Sequence, residues 1–286
     1  MLNPKPLDGR IVVMTASDSS CRAHRRRTKW PAVRTVRLPL LIASVVVALG
    51  AEASAQAQSW VAEYNRLLAK YATPSGVKYS EWKGNAADMQ ALQGVVDGVA
   101  QESVGSLNQK DQLAFYVNAY NAWILHEALG KYPTKSVKDA LYTFFTNKRI
   151  KVAGAQTSFN TLEKETIRSK FNDPRVHFAL NCASQSCPPL LGEAFRGDKL
   201  DAQFERLAKS FVNSDRGVRI NGGSVKLSKI FDWYKDDFAR DGGAVAFINK
   251  RRTAPLPADA KTSYQDYDWG LNEANRQMVP SRQPSL

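Results

Sequence analysis

The sequence predicts an α+β fold in a single globular domain, for three reasons. Apolar residues recur every three or four positions over long stretches of the first half, which is typical of amphipathic helices. In the second half, short runs of β-forming residues at 218–220 and 225–227 flank a Gly-containing turn, which indicates a hairpin. The roughly 229 residues after an N-terminal leader are enough for one sizeable core. We therefore expect a helix-rich first half and a small, mostly antiparallel sheet that includes 175–181 and the hairpin 218–227.

The first 57 residues have the arrangement of a secretory signal peptide. Seven Arg or Lys side chains between Arg22 and Arg37 precede an apolar run at 38–50, and small residues follow it at cleavage-site spacing. The apolar run is too short for an ordinary membrane span, which takes about 20 residues. The pattern predicts a Sec-type signal over 1–57 and a periplasmic or secreted mature protein with no stable membrane span. An uncleaved anchor is the alternative.

The remaining chain divides into one domain at 58–275 and a polar tail at 276–286. The whole chain has 40 Lys/Arg and 27 Asp/Glu, a net charge of +13, and loss of 1–57 removes nine basic and three acidic residues, which leaves +7. This mildly basic surface suits anionic envelope polymers, but no basic helix with interleaved aromatic residues favours nucleic acid. We expect an unknown envelope substrate or protein as partner, no nucleic acid and no cofactor.

Three helices are predicted in the first half of the domain. The second covers about 85–99, and the third begins after a cap at Ser106 or Asn108 and ends near Gly130. The first helix carries an apolar stripe at three- and four-residue spacing, formed by Trp60, Tyr64, Leu67, Leu68 and Tyr71.

The third predicted helix contains Asn118, Asn121 and His126. Asn is a poor helix former, so these side chains need a reason to be there. One interpretation is that buried amides brace a neighbouring loop, since buried polar groups are nearly always partnered. The other is that the three residues help to line a cleft.

Residues 149–152 with Gly154 predict a strand and turn, and a helix is predicted from Ser158 to about Lys170. Glu163 in this helix has two interpretations. Asn160 and Glu163 have the spacing of a capping box, which would be a full structural explanation. Alternatively, Glu163 orients His177 as the third member of a Cys-His-acid arrangement.

His177, Cys182 and Cys187 fall within eleven positions. The apolar run 176–180 predicts a buried strand that ends in a turn and a rigid Cys-Pro-Pro loop. Cys182 and Cys187 can form a disulfide in an oxidising compartment, or Cys182 can be a nucleophile whose proton His177 accepts. Three soft ligands alone make a metal site the weakest alternative, so none is predicted.

The rest of the domain supplies a helical stripe at 200–211, the hairpin, and a helix capped by Ser228 that runs through Trp233 and Phe238. We expect most of its aromatic side chains, Trp233 among them, to lie in the core.

Several segments together resemble the domain of unknown function 547 family, in order and over nearly the whole mature chain. They are 111–122 (DQLAFYVNAYNA), Leu162-Glu163 with Arg168, 173–190 (DPRVHFALNCASQSCPPL), 227–238 (LSKIFDWYKDDF) and 267–272 (YDWGLN). The resemblance implies a shared fold. It assigns to the family pattern Asn118, Asn121, His126, Glu163, Arg168, His177, Cys182, Cys187, Ser228, Trp233, Tyr234, Asp237, Asp268, Trp269 and Asn272. Lys164 stands where the family commonly has His, which removes that imidazole here.

Two functions are consistent with these observations. The first is a thiol-dependent hydrolase or acyl/amide transferase, related to thiol hydrolases or transglutaminases, with Cys182 as nucleophile, His177 as general base and Glu163 as the orienting residue. The second is a non-catalytic envelope binding or scaffolding domain with a Cys182–Cys187 disulfide. The predicted cleft-lining or binding residues are Asn118, Asn121, His126, Arg168, Cys187, Asp268 and Trp269.

Overall fold

The computed structural model describes residues 60–138, 145, 150–221, 224–257 and 260–274. The predicted signal peptide and the polar tail lie outside these residues. Within them, the helices are all too short or too polar to cross a membrane.

The first half of the domain is helical, as predicted. It comprises α1 (60–71), α2 (Tyr79–Lys83), α3 (Ala86–Gln101) and α4 (Gln109–Lys131), with a two-residue antiparallel pair, β1 (Ala72–Thr73) and β2 (Gly76–Val77), after α1. Asn108 caps α4, because its side chain accepts the N–H groups of Lys110 and Asp111 at 3.0 Å each. The α4 helix is buried along most of its length and packs against α3.

The middle of the chain supplies a hairpin and an unusual helix. Strands β3 (Ile150–Val152) and β4 (Ala155–Thr157) pair antiparallel. Helix α5 follows, with an α-helical start (Phe159–Thr161), a π-helical centre (Leu162–Arg168) and an α-helical end (Ser169–Phe171). Such π-helical segments are rare and occur often at functional sites.

The N-terminus of α5 is capped by Ser158, whose hydroxyl accepts the Thr161 N–H at 3.1 Å. The capping box expected from Asn160 and Glu163 is therefore wrong, and Glu163 is free of that structural role. The side chain of Glu163 lies instead in the site described below.

The predicted strand at 175–181 is also wrong. Pro174–Phe178 form a 3-10 helix, and residues 179–182 are irregular. Asp173 accepts the Arg175 N–H at 2.9 Å, and Pro174 occupies the first helical position. Both features favour the start of a helical turn over an extended strand. The expected burial of the apolar run is confirmed.

The second half contains α6 (Leu200–Val212), the hairpin β5 (Val218–Asn221) and β6 (Ser224–Leu227), and three short helices, α7 (Ile230–Trp233), α8 (Lys235–Phe238) and α9 (Ala244–Asn249). Strand β7 (Thr262–Tyr264) pairs with β6 in parallel, while the other described strand pairs are antiparallel. The α+β class and the hairpin are confirmed.

One hydrophobic core joins these elements. Its largest aromatic group surrounds Phe178, which contacts Phe211, Phe231, Phe238 and Phe247 with ring centroids 5.2–6.1 Å apart. This cluster fixes the 3-10 helix against α6, α7, α8 and α9, and so fixes the position of the neighbouring His177.

Candidate functional site

Buried amide side chains hold the cysteine loop, residues 179–190, in place. On α4, Asn121 donates to the Ala179 carbonyl and accepts the Asn181 N–H, both at 2.9 Å. Asn181 in turn accepts the Ala183 N–H and donates to the Pro188 carbonyl, both at 2.8 Å. The loop-bracing interpretation of Asn121 is confirmed.

Ala183, directly after Cys182, has a left-handed backbone with φ 62°. A residue with a Cβ adopts this conformation only at a cost, and such residues cluster at functional sites. The turn presents the Cys182 side chain to a cavity while Ala183 itself is fully buried. The loop is therefore braced on both sides of the cysteine.

The Cys182 sulfur is surrounded by hydrogen-bonding groups. It lies 3.0 Å from Ser184 Oγ and 3.3 Å from the Tyr267 hydroxyl oxygen, and those two hydroxyls are 3.0 Å apart. The Cys182 N–H contacts the Cys187 sulfur at 2.9 Å. Both cysteines are free thiols in this structure.

These surroundings separate the acidities of the two thiols. Hydrogen bonding from Cys187 lowers the pKa of Cys182 most and, with that from Ser184 and Tyr267, outweighs burial, so the pKa falls to about 6. Burial, and then the neighbouring Cys182, raise the pKa of Cys187 well above its ordinary value. These opposite directions favour the thiolate at Cys182 and the protonated thiol at Cys187.

His177 is paired with Asp237, not with Glu163. Asp237 Oδ2 lies 2.7 Å from His177 Nε2 and accepts the Arg168 Nε–H at 2.8 Å. The hydrogen bond from His177 lowers the pKa of Asp237 most, and together with that from Arg168 it holds this pKa well below its usual range despite burial. Burial lowers the pKa of His177 in spite of Asp237.

These directions define the tautomer of the imidazole. An ionised Asp237 can only accept hydrogen bonds, so Nε2 of His177 carries the proton. A neutral ring then keeps its lone pair on Nδ1, which is the form that can accept a proton. The ring also stacks on Tyr234, with centroids 3.8 Å apart.

Glu163, the predicted orienting acid, instead accepts a hydrogen bond from the Tyr234 hydroxyl at 2.8 Å. Tyr234 thus contacts Glu163 through its hydroxyl and His177 through its ring. The Arg168 guanidinium carbon lies 4.8 Å from the centroid of the same Tyr234 ring. Asp237, and not Glu163, holds the orientation of His177, because α8 packs against the 3-10 helix and brings Asp237 to the imidazole. Glu163 nevertheless faces the same cavity.

This cavity, of about 260 Å³, is where the residues meet. His177, Glu163, Cys182 and Cys187 line it together with aromatic side chains. No direct hydrogen bond joins His177 to Cys182 among the described contacts, so the two share a cavity and not a bond.

Three rings form an aromatic rim at the cavity: Trp233, Tyr267 and Trp269. Their centroids lie 4.6–5.9 Å apart. Trp233 is 44 % exposed, so the expectation that it lies in the core is wrong. It packs on other half-exposed rings and not into the Phe178 cluster, and it lines the cavity.

The remaining predicted site residues take other places. Asn118 donates to the Phe195 carbonyl at 2.8 Å and accepts its N–H at 2.9 Å, so it braces a loop. His126 lies 2.9 Å from Gln93 and is not among the described cavity-lining residues. Asp268 accepts the Gly270 N–H at 2.8 Å, a bond that spans Trp269.

Comparison with known proteins gives one family. Residues 104–212 match the profile of the family described as Protein of unknown function, DUF547. Residues 104–212 of this chain belong to the DUF547 family. The match includes the π-helical segment, the 3-10 helix and the cysteine loop. No curated protein and no solved structure matches the chain.

Parts of the site lie beyond the DUF547 match, including Asp237, Tyr267 and the whole aromatic rim. Sequence reasoning did not assign Asp237, Tyr234, Ser184 or Tyr267 to the site. The resemblance did include Asp237 and Tyr234 in the family pattern, and a polar residue repeated in such a pattern was the available signal. Ser184 and Tyr267 carried no comparable signal of chemistry. Within the described ranges, no group of three or more His, Cys, Asp or Glu is arranged to hold a metal ion.

Proposed function

We propose that this protein is an exported envelope protein that performs thiol-dependent acyl transfer, hydrolysing or transferring amide, ester or thioester groups through Cys182. The observation that carries the proposal is the Cys182 sulfur at the cavity, 3.0 Å from the Ser184 hydroxyl and 3.3 Å from the Tyr267 hydroxyl. Hydrogen bonds from Cys187 and from these two hydroxyls lower its pKa to about 6. The thiolate is the nucleophilic form of cysteine, and low-pKa cysteines in polar cavities are typical of catalytic sites.

The first step uses the thiolate. Cys182 attacks the carbonyl carbon, a C–S bond forms, and the bond to the leaving group breaks as that group takes a proton from water. Ser184 and Tyr267 hold the sulfur before the attack, since both lie within 3.3 Å of it. This step needs no proton transfer from Cys182, because the thiol is already ionised at neutral pH.

The second step uses the imidazole. A water or other acceptor attacks the thioester, and neutral His177 accepts the proton of that nucleophile. Asp237 and Arg168 fix the ring in the tautomer that leaves Nδ1 free to do so. The C–S bond breaks, the acyl group leaves on the attacking nucleophile, and the Cys182 thiolate is restored. The His177 imidazolium then gives its proton to the solvent, so the neutral ring is also restored.

The size of the cavity limits the reacting group. About 260 Å³ has room for one small acyl or side-chain group, while the aromatic rim offers stacking surfaces to the remainder of a larger substrate. The predicted Sec-type leader, and the mildly basic charge predicted for the chain without it, favour a substrate or partner in the envelope.

The test is the pH dependence of alkylation in a chain carrying Cys21→Ser, so that only Cys182 and Cys187 remain. We expect iodoacetamide to label Cys182 with a half-maximal rate near pH 6, and at pH 7 at least about tenfold faster than Cys187, because thiolate fraction and access set the rate. Peptide mass spectrometry locates the label.

Ser184→Ala and Tyr267→Phe should each move the midpoint to higher pH, because each removes a hydrogen bond to the thiolate. Tyr264→Phe is the matched control, since Tyr264 lies on β7 and has no described contact with Cys182. A midpoint near pH 8.5, the value of an ordinary cysteine, in the unaltered site would contradict the assignment of Cys182 as nucleophile. The alternative, a binding domain built on the aromatic rim, would then remain.

A further inference from the structure

Cys187 is a buried nucleophilic group that the acyl-transfer mechanism does not consume. It is 5 % exposed and lies between Leu180, whose carbonyl is 3.6 Å from its sulfur, and the Cys182 N–H at 2.9 Å. Cys182 is more exposed, and both side chains line the same cavity. Cys182 is therefore the more accessible of the two thiols, and Cys187 is the more buried thiol in the same cavity.

This asymmetry is the arrangement that thiol–disulfide exchange requires. The attacking thiol must be accessible and ionised, and a second thiol must be close enough to displace the first product. We infer that Cys182 and Cys187 form a thiol–disulfide exchange site, in which Cys182 attacks a low-molecular-weight disulfide and Cys187 resolves the mixed disulfide.

The chemistry balances without a further reactant. The Cys182 thiolate attacks one sulfur of a disulfide RSSR, so that a protein–SR bond forms and one RS⁻ leaves. Cys187 then loses its proton to the solvent and attacks the Cys182 sulfur, which releases a second RS⁻. One RSSR is thereby reduced to two RSH, and the two protein thiols are oxidised to one disulfide.

The loop geometry favours the second attack. The 2.9 Å contact between the Cys182 N–H and the Cys187 sulfur places that sulfur next to the Cys182 residue before any reaction. Asn181 ties the two ends of the short loop together by its bonds to Ala183 and Pro188. Closing the ring therefore takes little loss of chain entropy, since the loop is already closed.

The exchange goes beyond acyl transfer and has a consequence for it. A Cys182–Cys187 disulfide has no thiolate at Cys182, so oxidation removes the proposed nucleophile and reduction restores it. In an oxidising compartment the site would thus exist in two interconvertible forms.

The test uses glutathione disulfide as the probe on the full chain carrying Cys21→Ser, at pH 7, followed by intact mass. We expect the chain to end with the loss of two hydrogens and no accumulated glutathione adduct. Cys187→Ser should accumulate one glutathione per chain, and Cys182→Ser should react at least about tenfold more slowly. Reductant should restore both thiols.

Two results would overturn the inference. One is accumulation of the same glutathione adduct in the parent chain as in Cys187→Ser, and the other is a Cys182→Ser variant that reacts as fast as the parent. If Cys187→Ser does not fold, as judged by circular dichroism, the product mass of the parent chain alone decides. His177→Ala should leave the exchange rate within about twofold while slowing acyl transfer, so failure of this inference and failure of the proposed function are distinguishable.

Discussion

Two carboxylates in this molecule accept hydrogen bonds from an arginine, but they differ in burial and in their other partners. Asp88 on α3 accepts hydrogen bonds from Arg66 at 2.6 Å, Lys70 at 2.7 Å and Tyr71 at 2.6 Å. Burial alone would raise the pKa of Asp88, but these three bonds hold it well below its usual range. The carboxylate is saturated by groups that do not change charge near neutral pH.

Asp237 also has an arginine partner, but its second partner is the imidazole of His177. That ring lines a cavity, whereas Asp88 and its three partners line none of the described cavities. A carboxylate bonded to basic side chains therefore stabilises the fold in one place and positions a proton acceptor in the other. The two carboxylates differ because His177, the partner of Asp237, can titrate near neutral pH and lines a cavity, whereas the partners of Asp88 do neither.

The largest expected effect is the loss of catalytic rate in a variant of Asp237, which distinguishes its role from that of Asp88. Asp237→Asn should reduce steady-state hydrolysis of p-nitrophenyl acetate by about 10²–10⁴-fold, because the amide no longer holds the active imidazole tautomer. The first turnover, which uses the thiolate alone, should persist as a burst, and the acetyl-enzyme should accumulate in the intact mass.

Asp88→Asn is the matched control, and it should leave burst and steady state unchanged. An equal loss in both variants would end the distinction between the two clusters. A lost burst in Asp237→Asn would show that the imidazole is needed before the acyl-enzyme forms.

The next effect concerns the tryptophans beside each cluster. Trp82 is fully buried, stacks on Tyr71 with centroids 4.5 Å apart, and donates to the Asp88 carbonyl at 3.2 Å. Trp82→Ala should lower the free energy of unfolding by about 3–5 kcal/mol in chemical denaturation. Trp233→Ala, at the exposed rim, should cost only about 1 kcal/mol. A similar decrease in the free energy of unfolding for the two variants would show that Trp233 contributes to the core as Trp82 does.

The smallest effect is the pH dependence of stability. Burial lowers the pKa of His177 in the folded chain, so the unfolded chain binds the proton more readily below about pH 6.5. The free energy of unfolding should therefore begin to fall as the pH drops through that value. The contribution of Asp88 is lost only below about pH 4, since its folded pKa is depressed from the ordinary carboxyl value.

The measurement is urea denaturation between pH 4 and 8 in a chain with Cys182→Ser, which removes the titration of the thiol from the same range. His177→Gln should flatten the slope above pH 5. If the free energy of unfolding kept the same pH dependence in His177→Gln, that dependence would belong to another group. The result would contradict a neutral imidazole at His177.

The sequence alone predicted the features that depend on neighbours along the chain. The three- and four-residue spacing of apolar residues predicted the helices, and the Gly-containing segment 221–223 predicted the hairpin. Ser106 and Asn108 were the two candidate caps of α4, and Asn108 is the cap in the structure. These features depend on local geometry, which the sequence determines. The grouping of His177, Cys182 and Cys187 gave the candidate loop in the same way. For Asn118 and Asn121 the sequence left two interpretations open, loop bracing and cleft lining, and only the structure shows that both side chains brace loops.

The tertiary structure decided which distant residues meet. Asp237, sixty residues after His177, replaced Glu163 as its partner, because the packing of α8 against the 3-10 helix is not encoded by spacing. Hydrophobicity predicted Trp233 in the core, but its neighbours Tyr267 and Trp269 are themselves half-exposed. The acidity of Cys182 was equally beyond the sequence, since it depends on Tyr267, eighty-five residues away, and on the turn that brings Ser184 and Cys187 to the sulfur. Local periodicity thus determined the elements, while contacts across long separations determined the chemistry of the site.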